Sequence, residues 1–182
     1  MNQPDEPAYP ERREFLLKAA AVGVGATTAA VPLLAGLATL TDPLRRKADS
    51  SGPAFVTTLD ALPADGTPRR FAIIADRSDA WNKYPNVPIG AVYLRRIEGE
   101  KVLALNVTCP HAGCPVDYRT GANLFLCPCH DSRFDLDGHL ASINSPSQRG
   151  MDTLEVEVRN GAEVWVKFQN FEAGKAEKIP LA

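Results

Sequence analysis

The sequence predicts an all-β domain of roughly 130 residues, at 53–182, preceded by one transmembrane helix. Three observations carry this. Residues 19–41 hold no charged side chain. No helical period of useful length appears after residue 42. The rest of the chain alternates short β-rich runs with turn signals.

In chain order, Arg12-Arg13-Glu14-Phe15-Leu16-Leu17-Lys18 comes first and resembles a twin-arginine export signal, with Glu11 where the pattern prefers Ser or Thr. The uncharged stretch from Ala19 to Thr41 follows. As a helix it spans roughly 34 Å, enough for a hydrocarbon core of about 30 Å. A buried helix of a soluble protein is the alternative, and so long a run without a charge speaks against it. Leu37–Thr41 offer no small-x-small cleavage site, and Arg45-Arg46-Lys47 come almost at once, as in a retained anchor. Lysine and arginine are balanced on the two sides, so they do not orient the span. The export signal does, and it puts residues 42–182 outside the cytoplasm. The organisation expected is therefore a cytoplasmic 1–18, an anchor at 19–41, a polar tether at 42–52 and one domain at 53–182.

Within that domain the candidate strands are Phe55–Leu59, Arg70–Ala75, Ala91–Arg95, Val102–Val107, Leu124–Cys127, Leu154–Val158 and Glu163–Phe168. Glu98-Gly99, Thr120-Gly121, Asp137-Gly138 and Asn160-Gly161 punctuate them. Leu154, Val156 and Val158 alternate with Glu155 and Glu157, as a half-buried strand requires. Trp81-Asn82-Lys83-Tyr84-Pro85 with Val87-Pro88-Ile89-Gly90 reads as an aromatic and proline-rich insertion, either facing a partner or packing a long loop.

A net charge of −2, from 20 Lys+Arg and 22 Asp+Glu, supplies no basic face for nucleic acid. A hydrophobic content of 45% argues against wholesale disorder. All four cysteines lie between 109 and 129, and two of the three histidines sit beside them. Cys109-Pro110-His111-Ala112-Gly113-Cys114 and Cys127-Pro128-Cys129-His130-Asp131-Ser132-Arg133-Phe134-Asp135 each pair a Cys with a His, as C-x-H and C-x-x-H. Such pairs point to a metal. A structural zinc site is one reading, although zinc usually takes like pairs and would leave cysteines idle. A framework of disulfides alone is another, and it leaves His111 and His130 unexplained.

The two segments resemble the Rieske [2Fe–2S] signature, in which two His replace two Cys on one iron. The resemblance implies a Rieske-type antiparallel sandwich or barrel with a cluster-binding subdomain. It implies one [2Fe–2S] cluster, with Cys109 and Cys127 on the inner iron and His111 and His130 on the outer. Neutral imidazole in place of thiolate makes reduction easier. The Rieske proteins of cytochrome bc-type complexes have a disulfide at positions matching Cys114 and Cys129, which implies that bond here and an oxidising compartment. A Rieske oxygenase needs a further two His and a carboxylate for a second iron. Only His139 remains, in Asp137-Gly138-His139, where it reads as a solvated turn histidine.

In this family the second loop typically reads C-P-C-H-G-S-x-Y-D. Ser132 matches the serine that bonds a bridging sulfide. Phe134 replaces a tyrosine that donates to a ligand sulfur, which implies a lower potential, as a menaquinol-oxidising chain requires. Asp131 in place of Gly is expected to push the same way. Ser145–Gly150 stands where the family has a proline-rich loop, with Gln148 departing from the second proline. The resemblance thus implies the iron–sulfur subunit of a bacterial quinol–cytochrome c reductase, part of a dimeric multisubunit complex in the cytoplasmic membrane. Its partners would be a cytochrome b subunit, where quinol hydrogen-bonds His130, and a cytochrome c-type subunit that takes the electron. The alternative is the small Rieske subunit of an exported molybdenum oxidase such as arsenite oxidase.

Overall fold

The computed structural model describes residues 10–45, 52–78 and 82–181. It divides into two units, 1–47 and 48–182.

The first unit is a single helix, α1 (Pro10–Arg45), continuous through Pro32. The stretch Glu11–Asp42 contains an 18-residue window with a mean hydropathy of 1.7, and it is long and apolar enough to cross a membrane. The hydroxyls of this stretch are satisfied from within. Thr27 donates to the Gly23 carbonyl (3.1 Å), Thr28 to Val24 (2.8 Å), Thr39 to Ala35 (2.8 Å) and Thr41 to Leu37 (2.9 Å). Lipid supplies no partners for polar groups, so this back-bonding lets threonine sit in an apolar span. Leu33, Leu34 and Val31 stand fully outward. The helix begins nine residues before the sequence-derived span and takes in Arg12 and Arg13. It also ends later, so residues 42–45 of the expected tether are helical, and residues 46–51 lie outside the described residues. A charge at Asp42 ends an uncharged run but does not end a helix, because a terminal turn tolerates charged side chains.

The second unit is all-β. Its strands are β1 (Ala54–Thr58), β2 (Arg69–Ser78), β3 (Lys83–Glu98), β4 (Lys101–Asn106), β5 (Asp117–Arg119), β6 (Leu124–Leu126), β7 (Arg133–Phe134), β8 (Thr153–Arg159) and β9 (Glu163–Lys167). Six form one antiparallel sheet in the order β1-β9-β8-β4-β3-β2, and β1 lies against β2, so the sheet curls toward a barrel. The other three form a small sheet, β5-β6-β7, inserted between β4 and β8.

Two cores result, and β3 and β4 serve both. Val92, Leu94 and Ala104 face Leu59, Ile73, Val164 and Val166 inside the barrel. Tyr93 and Leu105, on the opposite faces of the same strands, pack with Val116, Phe125, Phe134, Cys109 and Cys127. Strand side chains alternate between faces, so burial on both faces calls for an unbroken apolar run. Val92-Tyr93-Leu94 supplies one.

Residues 83–90, part of the expected insertion, are the first half of β3. They pair with β2 as Ile74↔Pro88, Ala75↔Val87, Arg77↔Tyr84 and Ser78↔Lys83, while Trp81 lies outside the described residues. Register shifts between Ile73 and Ile74 and between Ala75 and Arg77 absorb the prolines, which cannot donate to a ladder.

Candidate metal centre

The small sheet carries two loops toward each other, residues 108–115 and 127–132. They share one hydrogen-bond pattern. In the first, Cys109 N–H donates to the Cys114 carbonyl (2.8 Å) and Gly113 N–H to the Cys109 carbonyl (2.9 Å). In the second, Cys127 N–H donates to the Ser132 carbonyl (2.8 Å) and Asp131 N–H to the Cys127 carbonyl (3.1 Å). Each turn needs a left-handed residue four places after its first cysteine. Gly113 supplies it at φ 78° and Asp131 at φ 59°. Aspartate is among the few L-residues that tolerate this region.

Cys109 and Cys127 begin the two turns, buried and unbonded. Cys114 and Cys129 are disulfide-bonded across the loops, Cα to Cα 6.6 Å. His111 and His130 meet edge to face, with ring centroids 4.8 Å apart at 86°. His130 is exposed and His111 half-buried. Burial pushes the Cys109 thiol above its ordinary pKa, the His111 backbone N–H opposes this, and Cys127 beside it adds to the rise. The buried Cys109 thiol therefore resists becoming a thiolate unless a cation is present.

Two buried side-chain atoms among the described residues lack any hydrogen-bond partner, His111 Nδ1 and Ser132 Oγ. Unpaired buried polar atoms cost about 1–3 kcal/mol each and call for an explanation. Both lie in these two loops, beside two free thiols. A group ligated by sulfur and imidazole, with a hydroxyl donating to it, fits that set. The structure thus brings together all four sequence-derived ligand candidates, the disulfide pair and Ser132.

Phe134 is fully buried in β7 opposite Phe125 and shares a cluster with Cys109 and Cys127. The Asp131 carboxylate is held by the Arg133 guanidinium through two hydrogen bonds, 2.9 and 3.2 Å. That pairing opposes the expected downward push of its charge on the potential. His139 is exposed; Asp135 accepts the backbone N–H groups of Asp137 and His139 on Oδ1, and its Oδ2 lies 3.5 Å from His139 Nδ1. Sequence reasoning missed two supports. The buried Asn106 accepts from Thr108 N–H (2.9 Å) at the root of the first loop. Arg149 and Asp152 form a buried ion pair (2.9 Å) at the end of the segment 145–150. Only a polar residue beside the apolar run of β4 hinted at the former.

A family model described as Rieske [2Fe-2S] domain matches residues 56–160. The menaquinol:cytochrome c reductase iron-sulfur subunit of Geobacillus thermodenitrificans is 31% identical over 153 residues, 82% of this chain and 87% of the relative. The same-named protein of Bacillus subtilis (strain 168) is 29% identical over equal shares. The cytochrome b6-f complex iron-sulfur subunit of Synechococcus sp. (strain CC9605) is 36% identical over 67 residues, 35% of this chain and 38% of the relative.

Proposed function

Since this chain belongs to the Rieske [2Fe–2S] domain family, we propose that it is the electron-transfer subunit of a membrane-anchored quinol–cytochrome c reductase. The observation that carries this is the pair of matched Cys-Pro turns with a disulfide between them and two facing imidazoles, in a chain aligned over most of its length with menaquinol:cytochrome c reductase subunits.

A [2Fe–2S] group, when bound, supplies a one-electron acceptor and donor at a potential raised by its imidazole ligands. Cys109 and Cys127 would hold it from the buried side, and His111 and His130 from the open side. Ser132 would donate its unpaired hydroxyl to it. Because His130 is exposed, its imidazole can hydrogen-bond the quinol hydroxyl and would take the proton given up with the electron that the bound group accepts. The disulfide keeps the two loops closed over the buried thiols and excludes water from them. Phe134, having no hydroxyl, withdraws one donor from the ligand sulfurs and lowers the potential to suit menaquinol.

The single apolar helix anchors the chain. The paired arginines act as an export signal, so that residues 53–182 work on the outer side of the cytoplasmic membrane. There the domain meets a cytochrome b subunit and then a cytochrome c-type subunit in a dimeric complex. The molybdenum-oxidase alternative is not favoured, since both long relatives are named as menaquinol:cytochrome c reductase subunits. The test is His130→Ala in the assembled complex. Quinol–cytochrome c turnover should vanish, and full turnover would sink the assignment.

A further inference from the structure

Segment 169–181 lies beyond the residues matched by the family model, yet it reaches the first ligand loop. It folds back on itself as a clip. Glu172 N–H donates to the Ile179 carbonyl (2.9 Å), Leu181 N–H to the Asn170 carbonyl (2.9 Å), and Phe171 bridges Pro180. At the bend, Gly174 N–H donates to the Pro110 carbonyl (2.8 Å), between the ligand candidates Cys109 and His111. Gly174 takes φ +72°, a backbone state that aims this N–H and favours glycine.

Arg149 grips the clip on both sides of that residue. Its guanidinium donates to the carbonyls of Glu172 (2.9 Å) and Lys175 (2.6 Å), and twice to Asp152 (2.9 Å each). Its side chain is only 10% exposed and that of Asp152 6%. Charge compensation is complete with Asp152 alone. The two carbonyl contacts spend a rigid planar fork on holding backbone, and the compact lysine ammonium has no such fork to span Asp152 and both carbonyls at once. At the clip's other end, Asn106 donates to the Gln169 carbonyl (2.9 Å) while accepting from Thr108 N–H, so loop and clip share a second tie.

We propose that Arg149 is a positioning residue: through Glu172, Lys175 and Gly174 it fixes the Pro110–His111 peptide and so the orientation of His111. This rests on loop 109–114 being a ligand loop, as in the function proposed above. Releasing the clip lets the loop open and admits water beside the ligands. Water solvates the more negative reduced form, so the potential rises.

The test uses the full chain in detergent with its cluster bound, in Arg149→Lys, Gly174→Pro and Gly174→Asn forms. Lysine keeps the charge beside Asp152 but cannot reach both carbonyls. Proline removes the Gly174 N–H and, with its φ fixed at about −65°, also unmakes the bend that aims it, whereas asparagine keeps the N–H and tolerates the left-handed state. Arg149→Lys and Gly174→Pro should raise the midpoint potential and speed amide exchange at Cys109 and Gly113 by about tenfold. Exchange at Val156 and Val166 should stay unchanged, and Gly174→Asn should behave as wild type. Wild-type exchange and potential in a folded Arg149→Lys overturn the proposal. Should that variant fail to fold, equal loop exchange in Gly174→Pro and Gly174→Asn overturns it. A wild-type protein that binds no cluster defeats the ligand-loop reading instead, which these outcomes leave separate.

Discussion

Removing the disulfide should destabilise the chain through its denatured state. Cys114 and Cys129 are 15 residues apart in sequence. Closing a loop of that length removes denatured-state entropy worth about 3 kcal/mol on the chain-entropy model. A cluster held by Cys109 and His111 on one side and Cys127 and His130 on the other would not replace that term. Its ligand site is lost on unfolding, whereas the covalent bond persists in the denatured chain. Cys114→Ser/Cys129→Ser is therefore expected to lower the unfolding free energy of the apo chain by about 3 kcal/mol. Urea titrations in detergent, followed by tryptophan fluorescence, read the value. The slope m should rise, since the denatured chain without its cross-link exposes more surface. An apo variant as stable as the wild type, with the same slope, would refute the reasoning.

Phe134→Tyr should raise the midpoint potential in a redox titration, since a phenol restores a donor toward the ligand sulfurs; an unchanged or lower value contradicts the tuning account. Ser132→Ala should lower the potential, and an unchanged value would mean that its unpaired hydroxyl does not face the cluster. Phe125→Ala should destabilise the domain by about 3–5 kcal/mol, as expected for a fully buried aromatic, and urea denaturation checks it. Arg133→Ala should lower the potential in the same titration by freeing the Asp131 carboxylate that it now pairs, and an unchanged value would show that Asp131 does not act on the cluster.

The site was legible in the sequence where chemistry restricts residue type. A Rieske cluster takes only Cys and His ligands, so Cys109, His111, Cys127 and His130 stood out as candidates in one short window. The barrel strands were legible where one face is buried, as in Leu154, Val156 and Val158. Strands β5 and β7 were not, since three and two residues are too short to show alternation. The first half of β3 was hidden by Pro85 and Pro88, whose places in a ladder depend on register shifts in β2 that no local pattern announces. Nothing in the local sequence marks Arg149 and Asp152 as buried. Their burial is created by segment 169–181, distant in sequence, and only the fold brings it there.

The two ligand loops are one turn used in two registers, and this explains their differing histidine spacing. Aligned on their hydrogen bonds, Cys-Pro-His-Ala-Gly-Cys lies over Cys-Pro-Cys-His-Asp-Ser. The first cysteine is the buried thiol in both, the proline follows it, and the fifth residue is left-handed in both. The third and sixth positions then form two crosswise sets. Cys129, third in its loop, is bonded to Cys114, sixth in the other. The counterpart set is His111, third in the first loop, and Ser132, sixth in the second. These are the two residues whose buried polar atoms have no partner. One set is thus closed by a covalent bond, and the other is left open on polar atoms that need a ligand. His130 stands one place later in its turn, where Ala112 stands in the first, and that single step gives it the exposed position from which a substrate can be met.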